Sequence, residues 1–403
     1  MNARHWAVGI AAATLLTGCM GNATNMAGLK DSTPLDAALA KMEPNRWVLL
    51  HRQSATDAVR FTRQRHGGSA FDSKRGRLIL FGSDTHDKNP NRNPRTHEEL
   101  DWKNNPFFFD MKTLAWSTPY PEDSWETYRV NEAGLPVAGI DAERPWAMHT
   151  FGALIYDPVR DEMVVCSWPG HMRPGRFTDV LAHVWDDVKK HPTWTYALKT
   201  GKWHALECDP VHFFPYAAAY DSDRNRIIGY GGVGIAELGG EPRTWTYIPE
   251  KSMFGWHNNA VYDSKNKALV VFGTNRNAND IVAYWPDSGK HVKMPTPGKR
   301  PPEDQHAPMC FDPESGLTVV VVDPRTPPED GSKRTNQAET WLYDLSEDQW
   351  TQLPDASLPF PMGMNYNLEY DPVHKLCVLV ADMPDASGQT ETAVFALRVE
   401  ARR

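Results

Sequence analysis

The stretch Tyr262-Asp263-Ser264-Lys265-Asn266-Lys267-Ala268-Leu269-Val270-Val271-Phe272 decides the fold. An aromatic residue and an aspartate lead into a short polar run and then an apolar one. Asp bonds backbone a few residues ahead of it and so initiates turns. A short apolar run bounded by turn residues suits a buried strand. The stretch therefore reads as a β-hairpin. The aromatic–Asp pair recurs at Phe71-Asp72, Tyr156-Asp157, Tyr220-Asp221, Phe311-Asp312 and Tyr370-Asp371. The runs that follow are Leu78 to Phe81, Met163 to Cys166, Ile227 to Tyr230, Thr318 to Val322 and Leu376 to Val380.

A second hairpin follows the first in each unit. Trp194-Thr195-Tyr196 leads to Gly201-Lys202-Trp203, Trp341-Leu342-Tyr343-Asp344 to Gln349-Trp350, and Phe109-Asp110 to Trp116. Four strands in a core unit of about 42 residues, the Asp221 to Asp263 spacing, suit a β-propeller. The alternation of aromatic–Asp turns, apolar runs and Trp-ended hairpins resembles kelch repeats over residues 45–399. The last unit supplies Ala393 to Val399 but no closing Trp strand, and Arg46-Trp47-Val48-Leu49-Leu50 can fill that place. The expectation is an all-β, kelch-like propeller of six four-stranded blades, closed by the N-terminal strand. The long stretch 85–145 leaves room for a seventh. Most of the 15 Trp are expected to pack between blades.

Of 403 residues, 23% are charged and 40% hydrophobic, and the formal net charge is −8, which argues against a nucleic-acid binder. Arg4 and His5 precede an apolar run from Trp6 to Leu16, and Leu16-Thr17-Gly18-Cys19 follows. This resembles the bacterial lipobox. It implies a signal peptide over 1–18, lipidation of Cys19, a tether over 19–42 and one propeller domain over 43–403. The implied location is the bacterial cell envelope, on the outer membrane because Met20 follows the cysteine. Membrane contact would be through the lipid alone. Cys166, Cys310 and Cys377 lie in apolar runs and, with Cys208, form no CxxC motif, so buried free thiols are expected. A monomer is expected.

The start of a unit's first strand and the end of its second should meet at one mouth, because the two strands are antiparallel. Six residues before the markers stand His66, Phe151, Pro215, His257, His306 and Asn365, with His149 two further back on the same face. Fourteen after come His86, His171, Ile235, Asn277, Thr326 and Asp385, with Arg276 and Arg325 one earlier. His149 and His171 should be neighbours, with Tyr216 opening the next unit. His and Tyr can exchange protons near neutral pH. Aromatic faces suit sugar rings, and Arg suits a uronate carboxylate. The bland alternative is that these histidines only satisfy loop carbonyls.

In order and hairpin position, His149, His171 and Tyr216 resemble the site of β-propeller polysaccharide lyases that cleave ulvan. The resemblance implies β-elimination of a uronate-containing acidic polysaccharide. Gly231 and Gly232 stand where those enzymes carry an arginine, so Arg243, Arg173 or Arg276 would have to neutralise the carboxylate. His66, His86, Arg173, His257, Asn258, Arg276, His306 and Arg325 are the expected substrate-binding residues. No cofactor is required on this reading. A divalent metal on His66, His257 and His306 is the alternative, as in similar propeller lyases that act on oligogalacturonate. The competing functions are a non-catalytic propeller that binds glycans or proteins, and a sugar epimerase or mutarotase.

Overall fold

The computed structural model describes residues 33–63, 65–85, 102–176, 179–206, 215–231, 234–249, 252–253, 256–273, 279–304, 306–323 and 337–400, with Pro215 and Tyr216 by backbone only. Strands take 43% of the chain and helices 5%, so the protein is all-β. Six four-stranded antiparallel sheets follow one another along the chain. Their opening strands are Gly68–Asp72, Leu154–Asp157, Pro215–Asp221, Asn259–Asp263, Met309–Asp312 and Leu368–Asp371. The second strands, Arg77–Phe81, Glu162–Val165, Arg226–Gly231, Ala268–Phe272, Leu317–Val322 and Leu376–Pro384, coincide with the apolar runs of the sequence to within a few residues.

The recurring aspartate forms the turn as expected. Each of the six accepts backbone N–H bonds from residues just ahead: Asp157 from Val159 and Arg160, Asp221 from Asp223 and Arg224, Asp371 from Val373 and His374. Asp72, Asp263 and Asp312 accept from Arg75, Asn266 and Glu314. The fourth residue after each marker has positive φ: Gly76, Asp161, Asn225, Lys267, Gly316 and Lys375, between 52° and 71°. This is the loop in which a turn ends on a left-handed residue and hands the chain to the returning strand. Gly, Asn and Asp tolerate that conformation best, and they hold four of the six places.

Each consecutive pair of sheets shares one apolar cluster. Ile79 and Phe81 of the first meet Leu154 and Met163 of the second, and Ile155 and Val164 of the second meet Ala218 and Leu238 of the third. Further clusters join third to fourth, fourth to fifth and fifth to sixth. Leu78 and Phe109 of the first sheet then meet Val378 and Val394 of the sixth. The opening strands contact one another in the same order, and Leu368–Asp371 contacts Gly68–Asp72. The second strands are thus covered on both faces, which is why they read as continuous apolar runs and not as alternating ones. Trp116, Trp194, Trp341 and Trp350 lie buried in these clusters.

The fourth strand of the sixth sheet is the N-terminal Val48–Arg52, which pairs antiparallel with Thr390–Leu397, for example Val48 opposite Ala396. It lies two residues beyond the expected Arg46–Leu50. Residues 85–145 do not hold a seventh four-stranded unit among the described residues. They carry a three-stranded sheet of Arg129–Val130, Pro136–Ala138 and Arg144–Pro145.

The tether reading of 19–42 fails from Thr33 onward. Thr33 caps a short helix, Pro34–Leu39, through a reciprocal bond with Asp36. Leu35 is buried between the first and sixth sheets, with Leu39 and Met42 packed alongside. An apolar residue every three or four positions gave this segment a face to dock. Cys19 and the preceding leader lie outside the described residues. No helix among the described residues is long and apolar enough to cross a membrane. Cys166, Cys310 and Cys377 are buried thiols, as expected, and Cys208 lies outside the described residues.

Candidate active site

The histidine mouth is assembled by one loop that crosses from the second sheet to the first. Thr150 pins it: its Oγ1 accepts the Gly68 N–H at 2.7 Å and donates to the Phe81 carbonyl at 2.8 Å. The N–H groups of Thr150 and Phe151 both donate to the His66 carbonyl. The fit excludes side chains on the facing backbone. A Cβ on Gly68 would stand 2.2 Å from the Phe151 carbonyl oxygen, and one on Gly82 would stand 2.4 Å from Thr150 Oγ1. His66, Phe151 and His257 all adopt positive φ, at 63°, 50° and 61°. Bulky residues hold that conformation only where the surroundings impose it, and such residues gather at functional sites.

This geometry stacks three imidazoles. The His66 and His149 ring centroids lie 4.4 Å apart with planes 16° apart, and those of His149 and His171 lie 3.9 Å apart at 24°. His171 sits in one 3-10 turn, Gly170–Met172, anchored by Met172 buried against Trp146 and Leu181. All three histidines are buried. The Thr85 N–H donates to His149 Nε2 at 3.1 Å, so that nitrogen carries no proton and the ring is neutral with its proton on Nδ1. Arg176 Nη2 lies 3.3 Å from His171 Nε2. A guanidinium only donates, so His171 is held in the same form. Two fixed donors thus stop a like-charge stack from forming.

A second group faces the first across Phe151. His306 Nε2 and His257 Nδ1 are 3.1 Å apart, and the Tyr366 hydroxyl lies 3.4 Å from His257 Nδ1. The Phe151 ring lies within 5.3 to 6.1 Å of His66, His149, His171, His257 and Tyr366. Four histidines from three sheets and a tyrosine from a fourth therefore surround one phenylalanine, and His306, from a fifth, joins them through His257. Elsewhere at this end, buried carboxylates hold the loops: Asp304 accepts from the His306 and Asp323 N–H groups, and Asp323 from those of Met362 and Gly363.

Of the residues expected at the mouth, His66, His149, His171, His257 and His306 come together. Asn258 is buried next to His257 in the chain, and Arg173 is exposed beside the His171 turn. Arg243 is a correction. It lies at the opposite, turn end of its sheet, paired with Glu162 and, at 3.7 Å, with Asp157. It opens the fourth strand of its sheet, where each strand starts at the far end. Tyr216 falls at an irregularity in strand pairing between Pro215 and Ala217, consistent with its being out of phase with the other strand openings. His86, Arg276 and Arg325 lie outside the described residues.

Sequence reasoning missed Asp84 and Tyr366, and took Arg176 only as one of the arginines, with Arg173, Arg276 and Arg325, that could make the mouth locally basic. Tyr366 is next to the indexed Asn365, so a window around that position would have caught it. His257 and His306 bond each other, whereas His66, Asp84 and His149 bring ligand atoms within 4.8 Å of one another. Two imidazoles and a carboxylate suit a first-row divalent ion. No protein-family model matches the chain, and no curated protein matches it.

Proposed function

We propose that the six sheets form one closed, six-bladed, kelch-type propeller whose mouth cleaves a uronate-containing acidic polysaccharide by β-elimination. We further propose that the chain is exported and anchored by lipid on Cys19. The observation that carries the reaction is the His149–His171 pair with Arg176 beside it. Both imidazoles are held neutral, and either can take a proton once its Nε2 turns from its present donor to the substrate. Arg176 or Arg173 meets the substrate carboxylate. The base takes the proton α to that carboxylate, and the electron pair forms the ring double bond as the glycosidic C–O bond breaks. Tyr216, or the Tyr366–His257–His306 chain, protonates the leaving oxygen. A guanidinium at the carboxylate favours the charge that develops during proton removal.

The test is ultraviolet absorbance of unsaturated uronate on a panel of uronate polysaccharides, with His149→Ala, His171→Ala and Arg176→Ala alongside. A rise abolished in both histidine variants and weakened by Arg176→Ala is the expected result. No rise from folded protein on any of them overturns the lyase reading in favour of a glycan-binding propeller or an epimerase. The His66, Asp84 and His149 cluster favours a second reading, in which a divalent ion takes the arginine's part. Loss of the absorbance change in chelator, restored by added metal, would select it.

A further inference from the structure

Below the Phe151–Tyr366 pair lies a separate space. The six opening strands enclose a cavity of about 330 Å³ along their common axis. Tyr366, buried, is the lining residue nearest the histidines, and its ring centroid lies 5.5 Å from that of Phe151. Toward the turn end it opens, where Ser222, Pro313 and Pro372 are exposed. Ala70, Ala218, Ala219 and Ala260, which have short side chains, are among its lining residues. The aromatic residues that precede the six marker aspartates form a collar at the open end: Phe71, Tyr156, Tyr220, Tyr262, Phe311 and Tyr370.

One acid stands in this wall. Glu369 accepts a bond from Ser69 Oγ at 2.8 Å. The other titratable groups lining the cavity are phenols and the Cys310 thiol, so among the described residues no cation faces it. Burial, with only the Ser69 bond opposing it, pushes the carboxyl up to about 8. A carboxylate buried without a countercharge is costly. A metal ion is a poor remedy, because hard cations want several oxygen ligands, and among the described residues the only three-ligand group is at the mouth. An organic cation needs one carboxylate, an apolar bore for its chain and aromatic surroundings for its charge on the way in.

We propose that this axial cavity is a binding site for a slender primary alkylammonium compound, whose charged head reaches Glu369 and whose chain lies along the alanine-walled bore. Its volume is at the small end of ligand pockets, which begin near 300 Å³. Entry is from the face opposite the histidines, so the site is independent of the chemistry proposed for them.

Titration calorimetry with pentylamine tests it, pentanol serving as the neutral isostere and Glu369→Gln as the variant. Pentylamine is expected to bind and pentanol not. Because burial raises the Glu369 carboxyl and an ammonium beside it favours the carboxylate, binding at pH 7 should release protons, read as buffer-dependent heat. Affinity should rise about tenfold from pH 7 to pH 9, where an alkylamine is still charged. Glu369→Gln keeps the shape and the Ser69 bond and should lose the binding. Absence of binding by pentylamine overturns the proposal. Equal binding of pentanol, equal binding by the variant, or an affinity unchanged between pH 7 and pH 9 overturns it too.

Discussion

Glu369 makes the stability of the fold depend on pH in a direction opposite to that of most carboxylates. In the folded chain its carboxyl is raised to about 8 by burial, from an ordinary 4.5. At pH 4 both folded and unfolded chains hold the proton, and the residue contributes nothing to the pH dependence. Between the two values only the folded chain holds it. The unfolded chain then binds fewer protons, so stability falls as pH rises, by about 1.4 kcal/mol per unit. Above pH 8 both are ionised and the loss is complete. The full shift bounds that loss at about 5 kcal/mol. The side chain keeps partial access to the cavity, so water there screens it, and about 2–3 kcal/mol is the expected figure. Urea unfolding followed by tryptophan fluorescence at pH 5, 7 and 9 measures it. Glu369→Gln should remove this component, so that the wild type loses about 2–3 kcal/mol more than the variant between pH 5 and 9, at equal denaturant slopes. Parallel stability curves would refute the reasoning, since they would place Glu369 in contact with bulk water.

Arg63 has a buried guanidinium that bonds Asp382 at 3.1 Å, the Met364 carbonyl and Asn365, tying the strand entry of the first sheet to the sixth. Arg63→Ala should cost about 3 kcal/mol in urea unfolding, because Asp382 and the two loop acceptors lose their donor together. Gly68→Ala drives a methyl into the Phe151 carbonyl, and should shift the imidazole NMR resonances of His149 and His171 as well as lower the melting temperature. Gly76→Ala, at φ +62° with open space around it, should cost only about 1 kcal/mol and leave those resonances in place. The thiols of Cys166, Cys310 and Cys377 should resist a thiol reagent in the folded protein and react once it is unfolded in urea.

The fold was legible because its determinants are local and repeated. One aspartate, one turn and one apolar run recur six times, and each copy states its hairpin without reference to the others. Even the fourth strand of the sixth sheet could be read, since that unit is short by one strand and the N-terminal segment supplies one. The errors lie where packing, and not pattern, decides. The segment from Thr33 looked like a tether because its three apolar anchors carry no repeat signature. Arg243 was drawn to the mouth by the absence of an arginine at Gly231 and Gly232, though its place at the start of a fourth strand puts it at the far end. Glu369 is invisible in the sequence as anything but a charged residue inside a strand. Only the meeting of the opening strands places it in the wall of a cavity with no cation beside it among the described residues.

The mouth shows the same division at finer scale. That His149 and His171 approach each other follows from antiparallel pairing, and was expected. Their form does not follow from it. Thr85 and Arg176, both on loops that no repeat specifies, donate to the two Nε2 atoms and hold both rings as neutral acceptors. Across Phe151, His257 Nδ1 lies 3.1 Å from His306 Nε2 and 3.4 Å from the Tyr366 hydroxyl, so the three groups form one hydrogen-bonded row. Phe151 separates the two groups. The β-elimination proposed above asks for a proton to leave carbon on one side of the sugar and another to arrive at the leaving oxygen, and the two groups flanking Phe151 are the proposed places for those steps. Exchanging the fixed donor, as in Arg176→Gln, should then alter the pH profile of turnover through His171 more than substrate affinity, whereas a merely electrostatic role for Arg176 would move affinity first.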